Sequence, residues 1–135
     1  MDKRVEIESL EGMTIEAIII NTSKTKMDLI MANDEVYRFM HKQDCCEEVY
    51  LADVIGDLAD IIGFPLVRCY ETSNKSSEYI NLPLKSFTWT FYTLRTLKGT
   101  VTLRWYGHSN GYYSEEVDLF KISGGYMYEC IYPKT

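Results

Sequence analysis

The stretch spanning residues 86–118, SFTWTFYTLRTLKGTVTLRWYGHSNGYYSEEVD, constrains the fold more than any other part of the chain. It holds both tryptophans, and its side chains alternate with the two-residue period of a strand. Lys98-Gly99 lies between two alternating runs and predicts a two-residue hairpin, with Leu94 opposite Leu103 and Tyr92 opposite Trp105 on one face. The same register places Trp89, Phe91 and Tyr106 on the other face. Aromatic groups on both sides require a sheet that is covered twice or curved around its own inner face. Asn110-Gly111 predicts a second hairpin. One extra residue near Gly107 would then bring Trp105 opposite Val117 and Leu103 opposite Leu119.

The rest of the chain is read around this core. Residues 13–20, 27–31 and 36–40 form a predicted three-stranded meander, with turns in the polar run 21–26 and at Asn33-Asp34. In residues 51–62 a 100° step gathers Leu51, Val54, Ile55, Leu58, Ile61 and Ile62 into one arc, with Asp53, Asp57 and Asp60 opposite. With Gly63 and Pro65 as stop signals, that predicts a helix. Residues 66–71 read as a strand, 72–81 as a polar loop, and 126–132 as a last strand after Gly124-Gly125. The expected class is α+β: a mostly antiparallel, strongly curved sheet or partly open barrel of about seven or eight strands, with one short helix near 51–62. A length of 135 residues suits a single domain.

Composition narrows function mainly by exclusion. A formal net charge of -6 argues against non-specific binding to nucleic acid or to an anionic membrane. The longest strongly apolar run, 17–20, is far too short to span a bilayer, and the charged N-terminus lacks the apolar centre of a secretory signal, so a cytoplasmic protein is expected. The 4 cysteines have no CxxC spacing and are expected to be free thiols, with no metal or cofactor implied.

Three clusters carry potential chemistry. His41, Asp44, Cys45, Cys46 and Glu47 form a possible thiol or ligand cluster, set against packing of the cysteines as small apolar groups and capping by the polar members. Asp44 followed by Glu47 has the spacing of a capping box. Asp53, Asp57 and Asp60 read as an acidic helical stripe, either solvated or facing a basic partner. Arg104, Tyr106, His108, Tyr112 and Tyr113 surround the second hairpin and suit a binding surface, or else ordinary cross-strand pairing. No phosphate loop, nucleophile elbow or paired glycosidase carboxylates are present, and no catalytic residue is assigned.

Two blocks, HKQDCCEEVYLADVIGDLADIIGFPL and the 86–118 stretch, together resemble an uncharacterised family of short proteins from phages, prophages and their bacterial hosts. The resemblance runs from Leu10 to Lys121 and is most specific around Asp44-Cys45-Cys46-Glu47 and Trp105-Tyr106-Gly107. The family has no assigned activity, so the resemblance implies a phage-linked setting and no residue roles. The functional expectation is a non-enzymatic intracellular binding protein with a protein partner, a modulator or inhibitor of a host or defence protein. The alternatives are a small enzyme or ligand-sequestering protein with a pocket in the curved sheet, and an assembly role through an exposed sheet edge.

Overall fold

A computed structural model describes residues 2–78, 85–111 and 113–123. Nine strands follow one another among the described residues: β1 (Lys3–Val5), β2 (Ile15–Ile20), β3 (Lys26–Met31), β4 (Val36–Met40), β5 (Glu48–Ile55), β6 (Arg68–Glu78), β7 (Lys85–Arg95), β8 (Thr100–Ser109) and β9 (Asp118–Ile122). They form two antiparallel sheets, ordered β1-β9-β4-β3-β2 and β5-β8-β7-β6. Among the described residues the sheets do not close into a barrel. One core joins them: Met27, Leu29 and Phe39 from the first sheet pack with Leu51, Tyr92, Leu94, Leu103 and Trp105 from the second. The rings of Phe39 and Tyr92 meet across it at 4.7 Å between centroids.

The expected meander is present as β2-β3-β4, with Asp34 in the left-handed conformation at its second turn. The β7–β8 hairpin also has the expected faces, but its register is shifted: Tyr92 opposes Leu103 and Leu94 opposes Val101. The loop is longer than two residues because Thr96 holds it, its N–H donating to the Gly99 carbonyl and its hydroxyl accepting from the Lys98 N–H. A shift of two residues leaves every side chain on its expected face.

The α+β class and its helix are not what forms. Residues 51–55 belong to β5, paired to β8, and the only helical turns among the described residues are short 3₁₀ pieces at Ile7–Leu10 and Leu58–Ile61. A β-bulge explains the misleading period. The register slips between Leu51 and Asp53, so Leu51 opposes Trp105 while Val54 opposes Leu103. Both then pack against the core although they are three residues apart, a spacing that imitates one face of a helix. Gly56, at φ +108, ends the strand, and Asp57 accepts from the Ala59 N–H to start the 3₁₀ turn.

Two further expectations are overturned. The polar run 72–81 is strand as far as Glu78, because β6 pairs with β7 along its whole length from Arg68–Arg95 to Glu78–Lys85, and residues 79–81 lie outside the described residues. Asn110-Gly111 does not turn β8 back on itself, since β9 pairs with β4 and β1 in the other sheet. Residues 113–117 instead cross the inner side of β8 at Gly107. A Cβ placed there would lie 2.9 Å from Glu115 Cβ, 3.0 Å from the Glu115 carbonyl oxygen and 3.1 Å from Val49 Cγ2. Gly107→Ala is therefore expected to cost about 1–3 kcal/mol in urea denaturation by overpacking this crossing. A variant as stable as wild type would contradict the close approach. The predicted strand 126–132 and Tyr112 lie outside the described residues.

Candidate functional site

The crossover brings Glu116 and Tyr113 to the cluster from His41 to Glu47, far from them in sequence. His41 is buried; its Nδ1 lies 2.7 Å from the Glu116 carbonyl oxygen and its Nε2 lies 2.6 Å from Glu47 Oε2. His41 thus bridges the Glu116 carbonyl and the Glu47 carboxylate, whose Oε2 also accepts the Asp44 N–H at 2.8 Å. Glu47 Oε1 takes the Cys45 N–H at 2.8 Å. Burial alone would raise the Glu47 carboxyl, but His41 and the Cys45 and Asp44 amides outweigh it and hold the group at about 2. The capping-box spacing is thus used: Glu47 reaches back to the Asp44 N–H, but the chain continues into β5 rather than a helix.

This lock leaves Cys45 and Cys46 exposed on the same loop, with the Cys45 thiol donating to Cys46 Sγ at 2.9 Å. Hydrogen bonding with Cys45 pushes the Tyr113 hydroxyl upward in pKa, which places the crossover directly beside the thiol loop. By contrast, burial pushes the Cys69 thiol up to about 12 and leaves it a packing group. Among the described residues no group of three or more His, Cys, Asp or Glu side chains is arranged to hold a metal ion.

On the inner face of β6 and β7, beyond the apolar core, lies an open cleft of about 400 Å³. Its floor is Glu71, Ser73 and Lys75 of β6 with Thr88 and Thr90 of β7, and its far wall is the crossover from Tyr113 to Asp118. Glu115, buried in that wall, accepts from Thr88 Oγ1 at 2.7 Å, from Ser86 Oγ at 3.4 Å and from the Ser109 hydroxyl. The sequence does carry a signal for this cleft. Inward positions on β7 change from Leu94 and Tyr92 to Thr90, Thr88 and Ser86, which an apolar core would not select.

The opposite, outer face of the same sheet is aromatic. Tyr106 is ringed by Tyr50 at 5.8 Å, Phe87 at 6.2 Å, Trp89 at 4.6 Å and His108 at 5.8 Å between ring centroids. These rings are half-buried, and the Arg104 guanidinium lies 4.5 Å over Trp89. Arg104 Nε is buried with no hydrogen-bond partner among the described residues. His108 pairs with Glu48 at 3.1 Å. Tyr70 and Ile55 extend the face and are exposed. Of the expected binding residues, Arg104, Tyr106 and His108 therefore share one surface, while Tyr113 faces the cleft.

The acidic stripe does not exist as a helical face. Asp53 sits on β5 opposite Arg104 and accepts from the Val54 N–H, Asp57 caps the 3₁₀ turn, and Asp60 packs against the β7–β8 loop, its carbonyl accepting from Thr96 Oγ1. No described helix is long and apolar enough to cross a membrane. Compared with curated proteins and with solved structures, the chain matches none. A family model described as a domain of unknown function, DUF7448, matches residues 2–119, so the chain belongs to the DUF7448 family.

Proposed function

We propose that this is a non-enzymatic binding protein of the bacterial cytoplasm whose contact surface is the outer face of the β5-β8-β7-β6 sheet. The phage-linked setting implied by the resemblance makes a host protein the partner, and modulation of that protein the role. The aromatic cluster around Tyr106 carries the reading. Half-buried Tyr, Trp and Arg side chains already fixed by their neighbours lose little entropy on contact, which is the composition of binding hot spots. The matching partner surface offers apolar side chains with a carboxylate set against Arg104.

Affinity capture from host lysate, followed by a titration with the purified captured protein, tests this. Trp89→Ala and Tyr106→Ala should each weaken binding at least about 10-fold, while Lys75→Ala in the cleft leaves it unchanged. Equal affinity for all four proteins would overturn the assignment of the surface. A second reading, sequestration of a small polar ligand, is favoured by one observation: the cleft is of ligand size and is walled by Glu115, Thr88, Thr90 and Lys75. Native mass spectrometry separates the two, because that reading requires a small-molecule adduct lost on Thr88→Val.

A further inference from the structure

Adjacent residues in an extended chain point to opposite sides, so neighbouring cysteines do not ordinarily bring their sulfurs together. Here they do. The Glu47 carboxylate gathers the Asp44 and Cys45 amides into a turn, Gln43 Nε2 donates to the Cys45 and Glu47 carbonyls at 3.2 and 2.6 Å, and His41 anchors Glu47 to the crossover. The result is two exposed thiols 2.9 Å apart, held by the buried His41–Glu47 hydrogen bond rather than by their own packing.

We propose that Cys45 and Cys46 form a chelating dithiol that closes on a single soft, thiophilic centre. The ligand class follows from the donor count. With no third His, Cys, Asp or Glu ligand assembled among the described residues, a four-coordinate zinc site is not built. A centre that takes two sulfurs held close together on one side fits, the chemistry of a monosubstituted trivalent arsenical. With phenylarsine oxide as the probe, two As–S bonds form and the As–O double bond breaks. Both thiol protons leave with the oxygen as water, and no oxidation state changes. The fixed loop supplies the pre-organisation that makes the second As–S bond an intramolecular step.

The test is intact-mass spectrometry of the reduced full-length chain after mixing with one equivalent of phenylarsine oxide. The expected product carries one phenylarsenic per chain, maps to the peptide containing Cys45 and Cys46, survives excess glutathione and is removed by a dithiol such as 2,3-dimercaptopropanol. Cys45→Ser and Cys46→Ser should each lose the glutathione-resistant adduct, and Cys130→Ser should keep it. An unmodified wild-type chain, an adduct mapping elsewhere, or a resistant adduct retained in Cys45→Ser or Cys46→Ser would overturn the proposal.

Discussion

Glu47→Ala is expected to destabilise the protein by about 3–5 kcal/mol in urea denaturation, because it removes the partner of buried His41 and the acceptor of the Asp44 and Cys45 amides. His41→Ala should cost a similar amount by leaving the carboxylate buried without its hydrogen-bonding partner. The double variant should cost clearly less than the sum, since each single change already breaks the same pair. Acid should act on the same group. The Glu47 carboxyl is held near 2 in the folded chain against an ordinary 4.5, so its stabilising contribution is complete above about 4.5. That contribution declines as the pH falls from there through about 2. Wild type should therefore lose more stability over this window than Glu47→Ala. Single variants within about 0.5 kcal/mol of wild type would show that the loop is held by something else.

Phe39→Ala is expected to cost about 3–5 kcal/mol, the range for emptying a fully enclosed aromatic site. Its position makes the outcome diagnostic for the fold. Phe39 belongs to β4 of one sheet and packs on Tyr92 of the other, whose hydroxyl donates to the Val117 carbonyl of the crossover at 2.7 Å. The loss should lower amide protection in β7 as well as in β4. Protection lost in β4 alone would mean that the sheets do not share one core.

What the sequence revealed depended on how far each side chain's environment is set by its neighbours along the strand. The β2-β3-β4 meander and the two faces of the β7–β8 hairpin were legible because alternation survives even a register shift of two. The β5 segment was not, since one bulged residue converts Leu51 and Val54 into an apparent helical pair. Residues Thr72 to Glu78 offered no apolar pattern at all. They are strand because a full-length partner supplies their backbone hydrogen bonds. For the site, Arg104, Tyr106 and His108 were recoverable from period-two spacing. The meeting of His41 and Glu47 with Glu116 was not, because it depends on a crossover between sheets that the Asn110-Gly111 turn signal disguises as a hairpin.

The two tryptophans allow the proposed contact surface to be tested within one spectrum, because Trp89 lies half-buried on the outer face and Trp105 lies in the core. In a nitrogen-15 correlation spectrum, adding the purified partner should shift the indole N–H signal of Trp89 and leave that of Trp105 in place. An unmoved Trp89 signal, with the Lys75 and Gly111 amides shifting instead, would contradict binding through the outer face and assign it to the cleft.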